Sequence, residues 1–299
     1  MRKIRGVIIL AVLYASSCWA ENINVYKFAR HGTPSQLMEA VKAGANFNVS
    51  RDIYASDLSD LEDDDEIMFS FGGTPLHEAA AYNHDPESVK FLISLGLDVN
   101  AEGSEGLGST GTPLTCAVGN KNLPAMTVLL EAGADPNYWS MSLFYMGTAF
   151  HDAASMYEDD AEAMRFVIES LVKAGGNVNI HDDFDDETRE SIADELKAGG
   201  WDSAILKDGK VDPSDPFRIG ELRLSRAGIG NVETSCTPLI YAVLYDNPDA
   251  VNALLDYGAD VRIRNIEGKT AMDYARALPK DSRLRKSSAY ARLKKTKRN

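Results

Sequence analysis

One phrase recurs along this chain and limits what the chain can become. It reads Gly73-Thr-Pro-Leu-His-Glu-Ala-Ala80, then Gly111-Thr-Pro-Leu-Thr-Cys-Ala117, then Gly147-Thr-Ala-Phe-His-Asp-Ala-Ala154. It returns as Cys236-Thr-Pro-Leu-Ile-Tyr-Ala242 and, worn down, as Lys269-Thr-Ala-Met-Asp-Tyr-Ala275. Apolar residues at helical spacing and a glycine stop follow most copies. Val89, Leu92 and Ile93 precede Gly96-Leu-Asp-Val-Asn100; Met126, Leu129 and Leu130 precede Gly133-Ala-Asp-Pro-Asn137; Val251, Leu254 and Leu255 precede Gly258-Ala-Asp-Val261. Thr is a helix N-cap whose hydroxyl accepts an orphan backbone N–H, and Pro at the next position has no N–H to leave unsatisfied. Leu and Ala place compact apolar atoms where helices approach, and Gly takes the left-handed position that ends a helix. Each unit is therefore a short helix, a turn, a longer helix and a loop. It cannot bury its apolar stripe alone, but a stack of such units can.

These residues resemble the ankyrin repeat, whose Thr-Pro-Leu-His signature and 33-residue period match; Thr237 to Thr270 spans that period without insertion. The resemblance implies an all-α ankyrin-repeat solenoid of stacked helix-turn-helix units with extended finger loops. Units are expected near 22–48, 72–101, 111–138, 147–180 and 235–264, with a cap at 265–278 and insertions at 49–71 and 181–234. Ala29 to Asn48 reads as the second half of a first, capping repeat. At the signature position, His77 and His151 are implied to be structural hydrogen-bonding groups. Within the long insertion, Glu187 to Gly200 reads as an amphipathic helix, with Ile192 and Leu196 one turn apart. It is either a degenerate repeat or a helical excursion; the absence of a Thr-Pro start favours the excursion.

The insertions share one location. From the Asn that ends a unit to the Thr that starts the next there are 26, 12, 11, 58 and 8 positions along the chain, so the main additions fall in the inter-repeat loop. A lesser extension falls between the helices of the fourth unit, around 155–161. Additions confined to one face of a repeat array mark a binding face. The loops are also biased in chemistry. Residues 49–72 hold Asp63, Asp64 and Asp65 among eight acids, beside Ile67, Met68, Phe69 and Phe71. Asp182, Asp183, Asp185 and Asp186 open the large insertion, and Tyr138, Trp139, Tyr145, Trp201 and Phe217 supply aromatic rings. Aromatics ringed by charge are what a protein-binding hot spot requires. The candidate partner-binding residues are thus Tyr138, Trp139, Tyr145, Phe69, Asp63, Asp64, Asp65, Asp183, Asp185 and Trp201. Phe71 and Phe144 are expected to seal the edge of the stack.

Charge narrows the partner. The formal charge is −14, with +3 on residues 1–20 and +8 on 279–299, which leaves −25 on 21–278. Such a field repels nucleic acid and anionic lipid and favours a protein that is basic or has a basic cleft; it would equally keep the chain soluble. Met1 to Arg5 is basic, Gly6 to Ala15 apolar, and Ser16 to Ala20 a small-residue cleavage zone, the pattern of a signal peptide cut near Ala20. Ten apolar residues are too few to span a bilayer core that needs about 20. Ala15-Ser-Ser-Cys18 leaves lipid anchoring at Cys18 as an alternative. The expected location is the periplasm or outside, and the resemblance extends to exported bacterial members of the family. Cys116 and Cys236 fall in different repeats and are expected to be separate buried thiols. The segment 279–299 is set apart as a basic tail, poor in apolar residues after Leu284, that could touch anionic lipid, nucleic acid or the chain's own acidic body; fraying or self-contact is the expectation.

No catalytic constellation is evident. His181 with Asp182 and Asp183, or the acids at 62–66, could attract a metal, but neither has the spacing of a calcium loop. Gly228-Ile-Gly230 lacks the rest of a dinucleotide fingerprint. The chain is expected to be no enzyme, to need no cofactor or metal, and to be monomeric apart from one protein partner that it inhibits or protects. Two alternatives stay open: an immunity protein neutralising a secreted toxin or effector, and an enzyme or metal-binding protein built in 181–235.

Overall fold

The structure, a computed structural model, describes residues 24–50, 73–103, 111–141, 146–156, 160–181, 236–265 and 268–296. Its residues fall into two compact units, Met1–Phe144 and Tyr145–Asn299. Apart from the dipeptide strands Ser140–Met141 and Met146–Gly147, the described elements are helices.

The first unit stacks three helix pairs: α1 (Val25–His31) with α2 (Pro34–Lys42), α3 (Pro75–Tyr82) with α4 (Pro86–Ser94), and α5 (Pro113–Gly119) with α6 (Leu123–Glu131). First helices pack in the order α1, α3, α5, and second helices in the order α2, α4, α6. The N-terminal repeat is therefore a complete helix pair and not only a second half. Its first helix lacks Thr-Pro and is capped instead by Asn24, whose side chain accepts from the N–H groups of Tyr26 and Lys27. The second unit holds α7 (Ala149–Met156) with α8 (Ala161–Lys173), α9 (Pro238–Leu244) with α10 (Pro248–Asp256), and α11 (Ala271–Ala277) followed by α12 (Arg283–Lys286) and α13 (Ser288–Thr296). Here α7, α9 and α11 adjoin in turn, as do α8, α10 and α13.

The signature phrase performs the capping that its residues predict. Thr112, Thr237 and Thr270 accept from the N–H three residues on at 3.3–3.4 Å. The fourth signature position closes the box in return: His77 Nδ1, Thr115 Oγ1, His151 Nδ1 and Asp273 Oδ2 accept the N–H of Thr74, Thr112, Thr148 and Thr270. Three chemically different side chains do one job. In both histidines the accepting Nδ1 leaves Nε2–H to donate onward, to Gly111 O at 3.3 Å and to Cys236 O at 2.8 Å. Burial pushes both imidazoles down to about 4, with the bonds to carbonyls opposing it in part. The third signature residues, Leu76, Leu114, Phe150, Leu239 and Met272, are buried, each stabilising by about 2 kcal/mol. Second helices end on Gly44, Gly96, Gly133, Gly175 and Gly258, all at positive φ. At Gly133 the N–H reaches Leu130 O and that of Ala134 reaches Leu129 O, the Schellman arrangement that a Cβ would strain.

Asparagine ties neighbouring repeats together. Asn83 Nδ2 donates to Ala29 O and Gly32 O, Asn122 Nδ2 to Ala80 O and Asn83 O, and Asn247 Nδ2 to Ala154 O. The last bond joins α7–α8 to α9–α10 as direct neighbours; residues 182–235, with the helix expected over 187–200, lie outside the described residues. Cys116 and Cys236 are both buried, and they are not disulfide-bonded.

The basic segment requires a correction. Residues 283–296 do touch the acidic body, as expected, but they do not fray; they are the closing helices of the last repeat, and the cap extends well past 278. Leu284, Ala289 and Leu293 are fully buried. The Asp246 carboxylate accepts the N–H of Arg283 and of Leu284 at 2.9 and 2.8 Å, and Arg292 pairs with Asp256 at 2.7 Å. The apolar positions 284, 289 and 293 are few and widely spaced, so lysine and arginine hid the pattern.

Candidate protein-binding surface

The inter-repeat loops begin the same way in each repeat. The N–H of Asn48, Asn100, Asn137, Asn179 and Arg262 bonds back to the Oδ1 of Asn46, Asp98, Asp135, Asn177 and Asp260, at 2.8–3.0 Å. This Asx turn sets the departure of the loop. The departing loop is then pinned to the next repeat. Asn100 receives the N–H of Asp135 at 2.8 Å and donates to Gly133 O at 3.5 Å. Asn179 does the same with Asp260 at 2.7 Å and Gly258 O at 3.3 Å. The first pair spans an ordinary repeat and the second spans the long insertion, with the same geometry. The repeats close across 181–235 as they do where no large insertion exists.

The turns keep acids at the surface: Asp98, Glu102 and Asp135 in the first unit, with Asp260 half-buried in the second. Asp260 is held at about 2 by the Arg262 guanidinium and backbone N–H, so its charge is partly neutralised within its own loop. Tyr138, just past the Asp135–Asn137 turn, is half-buried, and its hydroxyl donates to Glu102 Oε1. Burial first, then the Glu102 carboxylate, pushes the phenol up to about 12. Trp139 is half-buried with its indole nitrogen shielded from solvent. Each ring therefore has one covered and one open part. Phe69, Asp63, Asp64, Asp65, Tyr145, Asp183, Asp185 and Trp201 lie outside the described residues, as do Phe71 and Phe144.

The first helices contribute polar groups that the sequence reading missed. Arg30 of α1 donates through Nε and Nη2 to Glu78 Oε2 of α3, at 2.9 and 2.7 Å, and its guanidinium lies 4.1 Å from the Tyr82 ring centroid. The Glu78 side chain is 1% exposed and that of Arg30 11%. In the second unit His151 meets Tyr241 edge-on at 5.3 Å, and Tyr241 lies 5.0 Å from Tyr245. Glu78, Asp152, Tyr241 and Tyr274 all stand one place after the capping position. That shared offset was the available signal, but it does not show which distant side chain each would meet. Among the described residues no three His, Cys, Asp or Glu are grouped to hold a metal, and no helix is long and apolar enough to cross a membrane.

A family model described as ankyrin repeats (3 copies) matches residues 37–139, and one described as ankyrin repeats (many copies) matches 229–275. The chain is 33% identical over 225 residues to the mitochondrial disaggregase of Homo sapiens, covering 75% of this chain and 27% of that protein. It is 27% identical over 258 residues to the human palmitoyltransferase ZDHHC13, covering 86% and 34%. It is also 27% identical over 206 residues to a probable E3 ubiquitin-protein ligase XBOS32 of Oryza sativa subsp. japonica, covering 68% and 35%. The chain spans about a quarter to a third of the length of these relatives. All three relatives are eukaryotic.

Proposed function

The chain belongs to the ankyrin-repeat family, and on that premise we propose that it is a non-catalytic scaffold that binds one specific protein, basic or with a basic cleft, through its inter-repeat loops. One observation carries this reading: Asn179 bonds to Gly258 and Asp260 just as Asn100 bonds to Gly133 and Asp135. The repeats on either side of 182–235 thus pair as ordinary neighbours do, and that acidic insertion is the largest addition at the loop face. The half-open Tyr138 and Trp139 add amphipathic rings at the base of another loop, where acids form the rim. The enzymatic activities of the long relatives belong to those proteins and are not carried to this chain.

The N-terminal pattern supports export with cleavage near Ala20; a mature chain whose mass begins at Glu21 is the expected product. Partner binding is tested by affinity capture from the native compartment with identification by mass spectrometry. Replacing 182–234 by a short linker should abolish or sharply weaken capture while helical circular dichroism is kept. Capture that survives both this deletion and Tyr138→Ala with Trp139→Ala would defeat the reading.

A further inference from the structure

The closing helices of the last repeat carry an ordered cluster of cations that the acidic body does not neutralise. Residues 279–299 hold nine Lys and Arg against the single acid Asp281. Among the described ones, Arg292 is engaged by Asp256 and Asn252, and Arg285 donates to the carbonyls of Arg276 and Leu278. Lys280, Lys286, Lys294 and Lys295 are exposed and make no ion pair among the described residues. Their backbone is nonetheless fixed, because α12 is capped by Asp246 and Ser282 and α13 buries Ala289 and Leu293. Since α13 is nine residues long, or about 13 Å, its lysines and Lys286 lie within one or two Debye lengths at about 0.1 M salt.

The make-up of this patch selects its partner. Leu284 and Leu293 face inward, and Tyr290 is half-buried beside Arg285, so no apolar or aromatic anchor stands free to form the desolvated centre of a specific protein interface. Lysine ammonium groups are hydrated point charges on flexible stems. They suit a diffuse, laterally mobile anionic layer better than a fixed constellation of carboxylates. We infer that the closing helices form an electrostatic docking surface for an anionic lipid bilayer, with Lys280, Lys286, Lys294 and Lys295 as the groups that meet the headgroups. The −25 charge of residues 21–278 opposes approach; Asp246 and Asp256, which touch the cap, are taken up by its backbone N–H groups and by Arg292, and acids more than about 10 Å from the bilayer are largely screened at about 0.1 M salt. The cap therefore sets both attachment and orientation, and the loops are left to their protein partner.

The test is flotation of the full chain with vesicles of phosphatidylcholine alone and with vesicles that also contain phosphatidylglycerol, at about 0.1 M salt. Each lysine near an anionic surface accounts for about fivefold in partitioning. Lys280→Gln, Lys286→Gln, Lys294→Gln and Lys295→Gln combined should lose at least about tenfold of the anionic-vesicle binding. The four Lys→Arg changes should retain it, and about 1 M salt should remove it. The parent and the Gln variant share residues 1–20 with their three cations, so binding through that segment is common to both and cancels in the comparison. Equal binding to both vesicle types, equal binding by the Gln variant, or capture only on poly-glutamate beads would overturn the inference. The substituted side chains are exposed, and unchanged circular dichroism confirms that the variants fold.

Discussion

His151 Nε2 lies 2.8 Å from the carbonyl oxygen of Cys236, a residue 85 positions further along the chain. His77 makes the equivalent bond to Gly111 at 34 positions and 3.3 Å. The same contact is thus made across an ordinary interval and across the long insertion. Replacing 182–234 by a short linker should not lower the stability of the second unit and should raise it by up to about 2 kcal/mol, read from urea unfolding, because each halving of the loop returns about 0.6 kcal/mol of closure entropy. A collapse of helical signal would show that the repeats depend on the insertion.

Acid should weaken both histidine sites. Their folded values near 4 lie below the ordinary 6.5, so the unfolded chain binds more protons between those values. Stability from this source is complete above about pH 6.5 and is lost as pH falls toward 4. Each site contributes about 3 kcal/mol at pH 7 relative to pH 4. Protonation would also set an Nδ1–H against the N–H of Thr74 or Thr148. Urea midpoints between pH 7 and 4.5 should fall steeply for the parent and less steeply for His77→Asn. Parallel profiles would contradict the assignment.

The Arg30–Glu78 pair is buried, so its two halves are coupled. Arg30→Met strands a carboxylate that is 1% exposed and should cost about 3–5 kcal/mol. Adding Glu78→Met should recover most of that loss. A double-mutant cycle on thermal or urea unfolding measures the coupling, and simple additivity would refute it.

Lys121 and Asp246 both occupy left-handed backbone, at φ 59° and 53°, where a side chain costs about 1 kcal/mol. The two should nevertheless respond oppositely to glycine. Lys121→Gly should stabilise by up to about 1 kcal/mol through relief of that strain. Asp246→Gly should destabilise by about 1–2 kcal/mol, because its carboxylate caps α12 through the N–H groups of Arg283 and Leu284.

Truncation after Leu278 should be costly. It removes Leu284 and Leu293, both fully buried, a loss of about 4 kcal/mol in apolar burial, and uncovers the face of α10 and α11 against which α13 packs. An unchanged urea midpoint would show the closing helices to be dispensable.

Local signals are what the sequence carried unaided. Thr-Pro pairs and stop glycines act within one helical turn, so helices α3, α5 and α9, the ends of their partners and the sites of the insertions could all be read from residue order. The first helix of the N-terminal repeat and the closing helices escaped that reading for opposite reasons: one is capped by Asn24 without Thr-Pro, and the others bury only sparse residues among many cations. Tyr138 and Trp139 could be named as aromatic, but Tyr138's tie to Glu102, 36 residues earlier, depends on how the loops stack. The tertiary structure alone decided that Arg30 meets Glu78, that His151 reaches Cys236, and that Asp246 and Asp256 hold the basic end in place. Those pairings join groups tens of residues apart, and their distances are set by how repeats stack. Capping and periodicity specify each unit, whereas burial of polar partners against one another is settled only when the units meet.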